Sequence, residues 1–313
     1  MPDQNSHDQH PIVECVPNFS EGVDRDKVVE IVRAMRVDGV HLLDWSMDSD
    51  HNRSVVTIAG MPEAVVEAAI RGAGKAAELI DLTQQTGVHP RIGAADVIPF
   101  VPVSGVSLVQ CAMLARQAGM GIWRRFGVPV YLYQAAASRP DRVNLEDVRR
   151  GQFEGLSREV QRDSTRRPDI GGPELHATAG ASAIGARQFL IAYNIYLGEG
   201  ETSDVGLART IAKEVRNSSV GHLGVKTMGV MANDRAQISM NITDFTRTPV
   251  SKVHAMVREI AEQHGAKIGD GELIGLVPEE AFDPTADWVR EIPDFDPAQK
   301  VLERRLQSPL LWP

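Results

Sequence analysis

Cysteine is almost missing: Cys15 and Cys111 are the only two in 313 residues. Two distant thiols, each inside an apolar segment, cannot build the disulfide framework of a small secreted domain and fit a reducing compartment. No run approaches the roughly 18 apolar residues of a membrane span. The polar opening MPDQNSHDQH has no apolar stretch behind it, unlike a secretory leader. Positive charge is in deficit, with a formal net charge of −9. That argues against nucleic acid or an anionic membrane as the main partner, and a cytoplasmic location is expected.

Several cofactor signatures are also lacking. No Cys/His spacing suits zinc, and neither H-E-x-x-H nor G-x-S-x-G occurs. DSDHN at 48–52 starts like a calcium loop, but Arg53 stands where that loop needs glycine and Ala59 where it needs glutamate. GAGK at 72–75 lacks the earlier glycine of a phosphate loop, since position 69 is alanine, and it falls inside a helical pattern. Neither a metal nor a nucleotide is therefore expected.

What is present is an ordinary globular mixture, 42% hydrophobic and 24% charged, long enough for about two domains. PIVECVPNF alternates like a strand. DRDKVVEIVRAMR has helical spacing behind Asp24 as N-cap. VHLLDWS and SVVTIAG read as strands, a long helix starts near Pro62, and DVIPFVPV is a further strand. A helix over 107–118 and a strand over 128–133 continue this half. The order β-α-β-β-α-β recurs from 187 onward: a strand over 187–197, a helix over 203–216, paired strands VKTMGVM and AQISMNI, a helix ending before Gly265, and a short strand near 266–276. The fold class expected is α/β (α+β), two ferredoxin-like β-α-β-β-α-β subdomains with a ligand crevice between them. The bounds predicted are 11–186, 187–295 and a C-terminal helix and tail at 296–313. RRPDIGGPELHATAGASAIGA at 166–186 has the small-residue composition of a linker.

Chemistry-bearing residues are few. Cys15 alternates within a strand and reads as inert packing. Eight arginines between 139 and 167 read as a solvated, salt-bridged face. Of nine histidines, His7 and His10 lie in the polar tail, His41 begins a strand, His254 sits on a charged helix and His264 follows one. His51, His89, His176 and His222 fall in loops. His89 precedes Pro90, which disfavours helical backbone and fixes the direction of the ring, so His89 is packed or at work.

VECVPNFSEG (13–22), HNRSVVTIAG (51–60), GVHPRIGAADVIPFVPV (87–103), GVPVYLY (127–133), GARQFLIAYNI (185–195) and LIGLVP (273–278) follow one another in the chain. Together they closely resemble the glutamate formiminotransferases, which in animals form the amino-terminal part of formiminotransferase-cyclodeaminase. The resemblance covers about residues 11–282 and implies the stand-alone transferase. It further implies a homodimer and transfer of a formimino group from N-formimino-L-glutamate to tetrahydrofolate, a co-substrate, in histidine degradation. The family's H-P-R-[MI]-G motif falls on His89, implying a general acid/base there. Folate-contacting segments map to Gly171, Gly172, Pro173, Glu174, Leu175, His176, Ala177, Thr178, Ala179 and Gly180, and to Gly221, His222, Leu223, Lys226 and Gly229.

For the substrate carboxylates and the formimino group, Arg53 and Arg91 are candidates by their forked donors, and Asp48 by its charge. Asp50 is a second candidate acid, and Asp96 is a candidate to orient His89. Asn18 and Ser20 either hold the PNFSEG turn or touch substrate. Two other readings keep the fold: a formyltransferase acting on 5-formyltetrahydrofolate, whose donor differs by =O for =NH, and a non-catalytic folate or amino-acid binding module.

Overall fold

A computed structural model describes residues 11–87, 89–198, 203–218 and 224–313. The chain divides into two units, residues 11–187 with 309–313, and 188–308. The end of the chain splits between the two units. Residues up to Ser308 belong with the second unit, whereas Leu310 bridges to Leu42 in the first.

In the first unit, β1 (Ile12–Cys15) and β2 (Asn18–Phe19) are two halves of one strand interrupted at Val16–Pro17. Then follow α1 (Arg25–Ala34), β3 (Val40–Asp48), β4 (Arg53–Gly60), α2 (Pro62–Leu79) and β5 (Ala95–Ser104). β1 and β2 both pair antiparallel with β4 and β5, and β3 pairs with β4. That is the ferredoxin-like order expected. Asp24 caps α1 as the sequence indicated, its side chain accepting from the N–H groups of Asp26 and Lys27.

The sheet then grows beyond that unit. α3 (Leu108–Phe126) leads to β6 (Val130–Gln134), and α4 (Leu145–Arg149) and α5 (Gln152–Arg162) lead back to β7 (Ser182–Ala186). β7 inserts between β5 and β6, parallel to both. The linker expected at 166–186 is therefore corrected: its last five residues are a fully buried central strand. SAIGA shows no alternation because both faces of the sheet are covered there. α3 also runs eight residues past its expected end at 118 and stops at Gly127, which has a left-handed φ of 66°.

Alternation sorts the side chains into two layers. Val13, Cys15, Phe19, Val56, Ile58, Ile98, Val130 and Leu132 pack with α1, α2 and α3. On the other face Val97, Tyr131, Tyr133 and Ala183 pack with Val148 of α4 and Leu156 and Val160 of α5. The face opposite α1–α3 is thus covered by α4 and α5 over β5, β6 and β7.

The second unit repeats the order: β8 (Ile191–Leu197), α6 (Val205–Asn217), β9 (Val225–Ala232), β10 (Arg235–Ile242), α7 (Val250–Gln263) and β11 (Ile268–Ile274), in sheet order β11-β8-β10-β9. All neighbours are antiparallel. Short helices α8 (Asp287–Arg290), α9 (Pro297–Lys300) and α10 (Leu302–Gln307) follow. The helix expected near 297–306 is broken at Val301, which bridges in parallel to Val277. His254 lies on the charged helix α7 as expected, 2% exposed, and bonds Glu291 at 2.7 Å. No helix among the described residues is long and apolar enough to cross a membrane.

Candidate active site

His89 lies in the loop from α2 to β5, and that loop is fixed along most of its length. Leu82 N–H donates to Thr178 O, Ala94 N–H to Ala179 O, and Ala181 N–H to Ile92 O. Ser20 N–H donates to Ala94 O, and its hydroxyl to Gly93 O at 2.7 Å. Arg91 is 7% exposed and donates from Nη2 to Leu82 O, Gln85 O and Glu154, so it clamps the loop from inside. Of the two arginines singled out for substrate carboxylates, Arg91 is therefore occupied by the scaffold. Ser20 is likewise spent on the turn.

The β3–β4 hairpin is docked onto the same loop. Asn52 Oδ1 accepts from Gly22 N–H, Asn52 Nδ2 donates to Thr86 O, and Gln85 Nε2 donates to the carbonyls of Ser20 and Asn52. Fit at Gly22 is close: a Cβ there would stand 2.1 Å from Asp48 O and 2.3 Å from Arg53 N. Segments 17–22 and 48–53 and the described residues of 85–91 are thereby held together around His89.

Arg53 opens β4 and faces away from α1–α3; its Nη2 donates to Asn18 Oδ1. Arg149, at the end of α4, donates to Asp96, which also accepts Ile92 N–H at 2.8 Å. Asp96 side chain is 4% exposed and Arg149 14%. The role expected for Asp96, orienting His89, is corrected: its oxygens serve Arg149 and the backbone. Two guanidiniums thus stand against one directly bonded carboxylate. Burial drives the Arg53 pKa down to about 10, with Arg149 adding repulsion that Asp96 and Asp48 partly offset. Burial, then the charges of Arg53 and Arg149, push His89 from its ordinary 6.5 down to about 2, so the imidazole is neutral at working pH.

His51 completes the group. Its Nδ1 is 2.8 Å from Asp48 Oδ2 and its N–H donates to Asp48 Oδ1 at 2.9 Å. Burial alone would raise the Asp48 pKa, but these bonds from His51 outweigh it and hold it low. The His51 and His89 rings meet edge to face with centroids 6.2 Å apart. Asp48 is thus engaged by His51, and Asp50 lies in the exposed turn beside it. Buried polar atoms without a partner among the described residues include Arg53 Nε, Arg149 Nε, Arg91 Nε and Gln85 Oε1. The unfilled Nε donors in this buried cationic setting suit a carboxylate ligand.

Arg149 was passed over in sequence as one of eight solvated arginines, which is corrected for three of them. Arg142 and Arg166 are 1% and 5% exposed, donating to the carbonyls of residues 147, 150, 165 and 167. Cys15 is fully buried and its thiol is pushed well above its ordinary value by desolvation, which leaves it inert.

The glycine-rich segment 171–180 lies against the His89 loop through the bonds to Leu82, Ile92 and Ala94 above. Gly171 packs on Trp123, and a Cβ at Gly180 would stand 2.1 Å from Ile92 O, so both serve close backbone packing. Glu174 and Ala177 are exposed, Leu175 packs on the core, and His176 Nδ1 accepts Ala179 N–H at 3.0 Å. His176 also lines a surface groove of about 620 Å³ with Arg71, Lys75 and Phe126, away from His89. In the second unit, Lys226 is exposed on edge strand β9, and a Cβ at Gly229 would collide with the Arg209 backbone of α6. Gly221, His222 and Leu223 lie outside the described residues. No group of three His, Cys, Asp or Glu side chains among the described residues is placed to hold a metal ion.

Residues 12–187 match the family model of the formiminotransferase domain, N-terminal subdomain, and residues 192–306 match that of the formiminotransferase domain. The chain is 42% identical over 302 residues to a glutamate formimidoyltransferase of Thermoplasma acidophilum, covering 95% of this chain and 98% of the relative. It is 39% identical over 298 residues to one of Streptococcus pyogenes, covering 94% and 98%. Against the formimidoyltransferase-cyclodeaminase of Gallus gallus it is 38% identical over 282 residues, 88% of this chain but 52% of that longer protein. With both family models matched in order along nearly its whole length, the chain belongs to the formiminotransferase family.

Proposed function

We propose that this protein is a glutamate formimidoyltransferase. It moves the formimino group of N-formimino-L-glutamate onto N5 of tetrahydrofolate and releases L-glutamate, a step of histidine degradation, in the cytoplasm and as a homodimer. The names of its full-length relatives support the transferase activity. The observation that carries the chemistry is a neutral, desolvated His89 flanked by two buried guanidiniums with unfilled donors.

The reaction moves one proton. N5 attacks the amidine carbon, the C=N pair shifts to the imino nitrogen, and N5 must lose its proton. When the C=N bond re-forms, the bond to the glutamate nitrogen breaks and that nitrogen must gain one. A neutral imidazole can accept the first proton and return it for the second. Arg53, with its fork partly free, takes a substrate carboxylate. That carboxylate offsets the positive field around His89, so the imidazole gains basicity when substrate is bound and stays uncharged when it is not. Tetrahydrofolate is the co-substrate, with Gly171–Gly180, Gly221–Leu223, Lys226 and Gly229 as the segments proposed to line it.

The test is turnover of formiminoglutamate and tetrahydrofolate by the wild type beside His89→Ala, followed by absorbance of the folate product. A loss of about 10²–10⁴-fold in kcat for the variant is expected. Wild-type transfer from 5-formyltetrahydrofolate to glutamate, with none from formiminoglutamate, refutes the assignment.

A further inference from the structure

His51 has no part in the transfer as set out above, yet it is built into the same body as His89. Asp48 holds it through two bonds, to its N–H and to Nδ1. A carboxylate accepts only, so Nδ1 carries the hydrogen and Nε2 is left as the basic nitrogen. The hairpin turn bearing His51 is tied to the His89 loop by Asn52 and Gln85. A Cβ at Gly87 would lie 2.8 Å from His51 O, so the two backbones are in close contact. The ring centroids are 6.2 Å apart at an interplanar angle of 68°. Ring nitrogens at that separation stand too far apart for a direct hydrogen bond, a gap that one bridging water can span. The His51 side chain is 28% exposed, so this imidazole can also exchange with solvent.

We propose that the Asp48–His51 pair holds the transferred proton between its removal from folate and its delivery to glutamate, with His89 as the relay. This rests on the formimino-transfer reading above. One proton follows the path N5 to His89, His89 to Nε2 of His51, and back through His89 to the departing glutamate nitrogen. No other atom changes hands and the site returns to its starting state. The physical reason lies in the charges around each ring. His89 is buried and faces Arg53 from β4 and Arg149 from α4, with Asp96 of β5 bonded to Arg149; a substrate carboxylate on Arg53 answers that charge, but burial and Arg149 still oppose an imidazolium there. His51 faces Asp48 from β3, which balances the charge that forms on it. A proton that waits is better placed on the second ring. His51 therefore acts through His89 as a positioning and proton-holding residue.

The test compares wild type, His51→Gln and Asp48→Asn in the formiminoglutamate–tetrahydrofolate assay across pH, with circular dichroism confirming that each variant is folded. His51→Gln is expected to lose at least about tenfold in kcat with KM within about twofold, a fraction of the usual acid–base contribution. It is also expected to lose the low-pH fall in kcat that comes from a proton acceptor already filled. Asp48→Asn moves the same limb by a smaller amount, and added imidazole restores part of the turnover of His51→Ala. Unchanged kcat and pH profile in His51→Gln, or a loss in KM alone, overturns the proton-holding role while leaving the transferase reading intact. No turnover by the wild type overturns the transferase reading and this role with it.

Discussion

Replacing Asp96 by asparagine tests the charge arrangement that the site depends on. The side chain is 4% exposed and its oxygens take Arg149 Nη2 and Ile92 N–H, with the buried Arg53 close enough to feel its charge. Asparagine keeps the shape and one acceptor but removes the charge set against two buried guanidiniums. Breaking a buried pair from one side costs about 3–5 kcal/mol. A domain is stable by only about 5–15 kcal/mol, so the loss is a large share of the total. In a unit of this size it corresponds to a fall in Tm of roughly 6–20 °C. Urea unfolding followed by fluorescence reads it well, because three of the four tryptophans, Trp45, Trp123 and Trp312, belong to the first unit. Arg149→Met alone should also be costly. The double variant, with both charges gone, should recover roughly 1–3 kcal/mol relative to the sum. A cost for Asp96→Asn below about 1 kcal/mol, or strict additivity in the double variant, would refute the reasoning.

The His89 ring should not titrate between pH 8 and 5, read from its imidazole proton signals; a midpoint near 6.5 would show that the site does not hold it neutral. Because its folded pKa of about 2 lies below the unfolded 6.5, the unfolded chain binds more protons in that window. Stability then rises with pH and is lost as pH falls below about 6.5, by at most about 1.4 kcal/mol per pH unit from this group. His89→Gln should flatten that dependence, and an unchanged slope of urea midpoint against pH would count against it. In the second unit, Tyr193 Oη is buried with no partner among the described residues. Tyr193→Phe should therefore be neutral or stabilising by up to about 1 kcal/mol in thermal unfolding, and a clear loss would reveal a bond to the hydroxyl.

Local signals were readable in this sequence, and partners distant along the chain were not. The strands and helices of both ferredoxin-like halves, the Asp24 cap and the burial of Cys15 follow from periodicity and capping within a few residues. His89 could be singled out because Pro90 stiffens it and because the HPRIG motif resembles the family's. Arg149 could not, since its partner Asp96 is 53 residues away and a run of arginines on helical segments looks solvated. The partner of His254 was illegible for the same reason, Glu291 lying 37 residues on. The strand SAIGA was hidden because a strand buried on both faces carries no alternation, and its small residues mimic a linker. Among the site residues passed over, Asn52 did carry a usable signal, since it follows Asp48, Asp50 and His51 in a turn-forming run.

The two units hold one topology and different chemistry, and the difference has a structural cause. Arg53 and Arg235 occupy the same place, each the first residue of the third strand of its repeat. Asn18 and Asn194 both lie on the first strand. Arg235 is 34% exposed, stacks on Tyr196 at 4.4 Å and reaches Asp270 at 3.5 Å, so it remains an ordinary surface cation. Asn194 there donates to Glu272, which also accepts from Gln237. In the first unit the added strands β6 and β7 carry α4 and α5 over part of the open sheet face. That cover brings Arg149 onto Asp96 and, with the docked 85–91 loop, removes Arg53 and His89 from water. Burial of one repeated strand position and exposure of the other separate a desolvated arginine–histidine cluster from a polar sheet face. Burial of His89 itself comes first in holding its pKa down, so exposing Arg53 should relax that pKa only part of the way toward 6.5, with the burial and Arg149 still in place.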